Sequence, residues 1–258
     1  DEVSQRYVSD YYSYLYEQKV TIPKTQSTQG FVKPLVYVLV FRRQNKWPRV
    51  KRVNLILFDA PGEEMDSRAD VAQITRYIVN AAGLIFLVDP LTIPGIVEQV
   101  PHHLRQNQGG VESFRILDGV VHVWRRYHGV MEGSPIDLPI AITMAKSDLL
   151  KYVVGNLGTQ SAFLNRPDYA MGYDALDLPM VNSEVQELLH RHDGAALTSK
   201  SVSFRKVSYF AVSATGCAPD NSQNPPRFRF VQPIRCVDPL IWLLAQLGVI
   251  ETEESTNQ

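Results

Sequence analysis

The sequence predicts an α/β protein: three layers around a mostly parallel sheet, with one antiparallel pair of strands at its edge. Short apolar runs rich in β-branched residues alternate with stretches of helical periodicity. The first two runs are joined by too few residues for a parallel crossover, so they pair antiparallel. With 258 residues, the chain is long enough to bury one sizeable core.

In chain order, Val8, Tyr11, Tyr12 and Leu15 recur at helical spacing and predict an amphipathic helix over 3–17, its tyrosines half-buried. Residues 20–30 are rich in Thr, Gln and Ser around Pro23 and predict an exposed loop. Leu35 to Phe41 reads as a strand, 42–50 as a hairpin-like connection holding Pro48, and Val53 to Phe58 as the second strand. Val71, Ile74, Tyr77 and Ile78 predict a helix over 67–82. A strand follows at 84–88, ending in Asp89-Pro90, then a helix over 111–128 and a strand over 138–144. Another strand covers 207–212, and a closing helix covers 237–249. Between them, residues 151–206 are too long for a simple connection. They carry several Gly and Pro residues and a helix whose start is signalled by Ser183 and Gln186 as a capping box, with Gly194 past its end. The expectation is a single domain over 1–258 with an insertion at about 151–206.

Composition narrows the function classes. With 26 basic and 27 acidic residues the net charge is −1, which argues against a global basic field for nucleic acid or an anionic membrane. Two cysteines, Cys217 and Cys236, are too few for a disulfide scaffold or a four-cysteine zinc site, and predict free thiols in a reducing, cytoplasmic setting. The longest clean apolar run, Leu35 to Phe41, is far short of the ~20 residues of a membrane helix. His102-His103, His190, His192, Arg125 and Arg126 read as surface residues. Arg227 and Arg229, set among Phe228 and Phe230, make a basic-aromatic loop.

Three strand ends carry the polar residues of chemical interest. Leu55 to Phe58 runs into Asp59-Ala60-Pro61-Gly62-Glu63. An Asp at such an edge can hold Mg²⁺ through water, and a Gly three residues on lets its N–H approach a phosphate. Ala141 to Met144 runs into Ala145-Lys146-Ser147-Asp148, where a carboxylate can accept from the two adjacent N–H groups of guanine. Val207 to Val212 runs into Ser213-Ala214-Thr215, small residues whose backbone can touch a base edge.

In this order the three segments resemble the G domain of the translation-factor-related, Ras-like class of P-loop GTPases, over about residues 20–250. More narrowly, the Tyr-rich helix, the Pro-Lys-Thr loop and the Asp-Pro-Leu helix start resemble the bacterial double-GTPase family. The resemblance implies Mg²⁺ at Asp59 and at a threonine of the loop before the first strand, Thr25, with Thr21 and Thr28 nearby; it implies the γ-phosphate at Gly62, guanine at Lys146 and Asp148, and base closure by Ser213 and Ala214. Glu63 would then stand where relatives orient the attacking water. The implied function is a GTP-binding switch with GTP/GDP and Mg²⁺ as cofactors and slow hydrolysis. Against that pattern, no Gly-x-x-x-x-Gly-Lys-[Ser/Thr] occurs in the chain, and Ala145 replaces the usual Asn or Thr. The fold's first strand and phosphate loop are therefore expected upstream of Asp1 or on a partner protein. The same departures carry the alternative: a degenerate scaffold that binds proteins and no nucleotide.

Overall fold

The computed structural model describes residues 5, 8, 9, 11–22, 34–42, 50–58, 76–105, 113–155, 161–167 and 177–250. Helical backbone at 11–12 runs into a π-helical turn, Ser13–Glu17, where Tyr12 and Tyr16 stack with ring centroids 5.0 Å apart. Tyr12, Tyr14 and Tyr16 are exposed, so the expected half-burial of this face is not met; these rings find one another and solvent in place of a core.

Strands β1 (Leu35–Arg42) and β2 (Val50–Leu57) form the expected antiparallel pair, in register Leu35↔Leu57 through Arg42↔Val50. β3 (Leu84–Val88) leads into a short helix α1 (Pro94–Val97) and then α2 (Ser113–His128). β4 (Ile140–Met144) is followed by α3 (Lys151–Val154), α4 (Leu178–Arg191) and α5 (Ala195–Ser201). β5 (Val207–Ala211) and α6 (Asp238–Gln246) close the described chain. The class is mixed α/β: β3, β4 and β5 form a parallel sheet in that order, and β1–β2 a sheet of their own. One sheet with an antiparallel edge was expected. Among the described residues, instead, the hairpin makes no ladder with β3, which leaves β3 as an edge strand.

The strands' period of two divides the parallel sheet's contacts. Val88, Ile140, Ile142, Met144, Tyr209 and Ala211 join the main core, together with Leu117, Val120 and Val121 of α2. Residues of the opposite parity, Ala141 and Phe210, pack against Leu243 and Trp242 of α6. β4 is buried at every position, as a central parallel strand requires. Residues 151–206, expected as an insertion, supply core: Val181, Val185, Leu188 and Leu189 of α4 and Leu197 of α5 all lie in the main cluster.

Local signals at α4 were misread. The helix starts at Leu178, five residues before the expected cap, with Pro179 in its first turn. Ser183 Oγ donates to the Pro179 carbonyl at 2.9 Å, so this serine bonds back along the helix instead of capping it. Gly194 does not supply the left-handed residue; Asp193 does, at φ 64°. Glycine is needed at 194 because a Cβ there would lie 2.7–2.9 Å from Leu189 atoms.

The hairpin contrasts with this core. No described side chain of β1 or β2 is fully buried. It is tied to the rest by Lys51, whose Nζ donates to the carbonyls of Gly248 and Val249 just beyond α6 at 3.0 and 3.2 Å. Phe58 stacks on Tyr77 with centroids 4.2 Å apart. Among the described residues, no helix is long and apolar enough to cross a membrane.

Candidate functional site

Parallel strands end on one edge of their sheet, and the loops that follow meet there. After β3, Asp89 takes extended backbone and its Oδ1 accepts from the Leu91 N–H at 3.0 Å, capping the short turn at 90–92. Past the end of β4, the Ala145 N–H donates to the Val88 carbonyl and the Ser147 N–H to the Val212 carbonyl, each at 2.9 Å. Lys146 sits between them in left-handed backbone, φ 51° and ψ 39°. That conformation is strained for a residue with a Cβ. It sends the chain across the ends of the three strands. The Lys146 ammonium meets Asp89 Oδ2 at 2.6 Å, a pair with both side chains substantially solvent-exposed. Such a pair contributes little, about 0–1 kcal/mol.

Asp148 is different. It is only 7% exposed, and its Oδ1 accepts from Ser213 Oγ at 2.6 Å. Ser213 Oγ in turn accepts from the Gly216 N–H at 2.8 Å. Backbone bonds in both directions join Ser213 to Ile234, and Thr215 accepts from Gln232, so 213–217 and 230–234 form an irregular ladder behind the carboxylate. Cys236 Sγ donates to the Ser213 carbonyl at 3.1 Å; burial pushes the pKa of this thiol up. Ser147 Oγ is buried and has no hydrogen-bond partner among the described residues.

The structure thus brings Lys146, Asp148 and Ser213 together at one sheet edge, with Ala214 exposed beside them. Thr25, Asp59, Gly62 and Glu63 lie outside the described residues. The contacts that are present are internal ones: serine holds the Asp148 carboxylate, and Asp89 holds the Lys146 ammonium. Ser213→Ala is expected to destabilise the protein by about 1–3 kcal/mol, because it strips a buried carboxylate and the Gly216 N–H of their partner. The exposed Ala214→Ser should stay within about 0.5 kcal/mol. Urea unfolding midpoints measure both, and equal midpoints would show that this bond contributes nothing.

One buried polar cluster was not anticipated. Arg235, 3% exposed and left-handed at φ 51°, donates from Nε to the Ala162 carbonyl at 3.0 Å and from Nη1 to Asp238 Oδ2 at 2.9 Å. Its Nη2 donates to Asp177 Oδ2 at 2.5 Å. Burial works against the guanidinium charge, but the bonds and charges of Asp177 and Asp238 outweigh it and raise the pKa further. The usable signal was Arg-x-x-Asp-Pro at a helix start, which places a cation beside the first-turn carboxylate. Among the described residues, no group of three or more His, Cys, Asp or Glu side chains is arranged to hold a metal.

Comparison with known proteins adds one finding. The chain is 30% identical to the Mycolicibacterium smegmatis protein named "Putative ESX-1 scaffolding and assembly protein SaeC", over an alignment of 267 positions that takes in 96% of this chain. The alignment covers 65% of that protein, so the chain spans somewhat less than two thirds of its length. No family model matches the chain, and no solved structure matches it. These findings correct the resemblance drawn from the strand ends. No P-loop GTPase family is found, in the Ras-like class or among the double GTPases, and with that the assignments of a GTP-binding switch, of Mg²⁺-dependent nucleotide binding and of a slow hydrolase fall. What this chain is similar to, along nearly all of its length, is a protein named for scaffolding and assembly.

Proposed function

We propose that the chain is a protein-scaffolding module whose parallel α/β core holds uncovered strands in place for partner proteins. The observation that carries this is at β3. Its neighbour β4 is buried throughout, yet Leu87 of β3 is 62% exposed and Ile85 is also exposed, on the strand that ends the sheet among the described residues. Soluble proteins rarely leave apolar strand edges open, because unpaired N–H and C=O groups beside apolar side chains invite association. A scaffold uses that association. The similarity to a protein named for ESX-1 scaffolding and assembly supports the same reading, and we extend that role to this chain on the strength of the alignment. Free thiols at Cys217 and Cys236 fit a reducing, cytoplasmic setting.

Photo-crosslinking in the cells that make the protein tests this. A photoreactive phenylalanine analogue at Leu87 is expected to give discrete protein adducts. The same group at the exposed His122 on α2 should give none. Absence of adducts at Leu87, or an identical pattern at both positions, would overturn the scaffold reading.

A further inference from the structure

Residues 213–234 extend the ladder behind Asp148 into an irregular hairpin. Its two arms meet at Ser213 and Ile234, at Thr215 and Gln232, and at Asp220 and Arg227, and the Cys217 thiol donates across to the Phe230 carbonyl at 3.2 Å. Arg227 turns both its N–H and its C=O towards Asp220. On the returning arm the adjacent groups, the Pro226 carbonyl and the Phe228 N–H, therefore point the opposite way and make a backbone edge. The N-terminal segment fills that edge. Val20 bridges Arg227 antiparallel, the Thr21 N–H donates to the Pro226 carbonyl at 3.0 Å, and the Phe228 N–H donates to the Lys19 carbonyl at 2.7 Å. Residues 19–21 thus act as a third strand, one rung long. The attachment is slight. Over residues 11–22 Val20, at 3% exposed, is the one fully buried residue, while Tyr12, Tyr14 and Tyr16 are exposed. Lys19, just before it, takes left-handed backbone at φ 54°, which is unfavourable for a residue with a Cβ. Tyr16 lies near the base of the same arm: partial burial, and next the adjacent Cys236, raise the pKa of its hydroxyl.

We propose that residues 11–22 are a latch that opens as a unit while the core stays folded. Closed, the segment occupies the edge of the 226–228 arm and keeps other chains from pairing with it. Open, it bares the Pro226 carbonyl and the Phe228 N–H and withdraws Tyr16 from Cys236. Segments held by few buried apolar contacts open locally, well below the free energy of global unfolding. Unpaired strand edges recruit other strands, so a segment of the chain lying on this edge controls when it is available. The inference goes beyond the scaffold reading and does not depend on β3.

Native-state amide exchange and thiol kinetics on the whole chain test this, with Cys217→Ser leaving Cys236 as the one thiol. The Thr21 and Phe228 amides are expected to share one protection factor, about a hundredfold or more below that of the β4 amides. Val20→Ala should lower it about tenfold further, because two buried methyl groups are lost, and leave β4 unchanged. In the same variant Cys236 should react with Ellman's reagent about threefold or more faster, since burial holds its thiol pKa up in the closed state. Protection of Thr21 and Phe228 equal to that of β4 overturns the proposal, and that comparison needs no variant. So does loss of protection in β4 along with the latch in Val20→Ala, or a faster Phe228 amide with an unchanged Cys236 rate. Crosslinking at Leu87 bears on none of these results, so the latch and the scaffold reading stand or fall separately.

Discussion

Arg235→Ala is expected to lower unfolding stability by about 3–5 kcal/mol, the cost of leaving a buried charge without its partner. The guanidinium is fully engaged, and one partner, Asp238, is only 1% exposed. Removing the cation strands that carboxylate in the interior and releases the Ala162 carbonyl. It also unpairs Asp177, the residue immediately before α4. Three separate parts of the chain lose their common tie: the turn at 162–164, the start of α4 and the start of α6. Asp177→Asn should cost less, because that carboxylate is 27% exposed and water replaces part of the bond. Against a typical total of about 5–15 kcal/mol, the arginine change alone brings the fold near its limit. Urea unfolding followed by circular dichroism measures it; a loss under about 1 kcal/mol would show that the triad is dispensable.

Which features were legible follows from the range of the forces involved. The hairpin was legible because two β-branched runs with a short connection can pair in few ways, and the register confirms that pairing. Its separation from the parallel sheet was not, because strand runs say nothing about which edges meet. The Arg235 cluster was hidden because its bond to Asp177 joins residues 58 apart in sequence. Ser183 fitted a cap by spacing, but a helix entered at Leu178 absorbed it.

The strand-end segments misled for a physical reason. Any parallel α/β sheet gathers its loops at one edge, and Asp, Ser, Lys and Gly are what such turns require for capping and for unusual backbone. Asp89 shows this directly, since its carboxylate caps a turn. Asp148 and Ser213 meet through a hydrogen bond to each other. Net charge misled in the opposite direction. A sum of −1 hides a separation of charge along the chain: residues 18–58 hold nine Lys and Arg and no Asp or Glu.

Gly216→Ala should be the second large loss, and its comparison with Gly248→Ala separates two causes. Both glycines are left-handed, at φ 72° and φ 65°. A Cβ at 248 would meet nothing within 4 Å, so that change pays only for backbone conformation, about 1–2 kcal/mol. At 216 a Cβ would sit 2.2 Å from the Gln232 carbonyl oxygen and 3.0 Å from Arg166 Nη2. The oxygen is backbone, held by the ladder in which Thr215 accepts from the Gln232 N–H at 2.9 Å, so it cannot swing away. Overpacking of this kind adds about 1–3 kcal/mol. The sum, about 2–5 kcal/mol, falls on the loop that presents Ser213 to Asp148. Faster amide exchange is therefore expected at Ser213 and Ser147, whose N–H groups bond the Ile234 and Val212 carbonyls, while exchange in α2 is unchanged. Equal losses for the two glycine variants would show that the close approach at 216 relaxes freely, and that the ladder behind Asp148 is no constraint on the sheet edge.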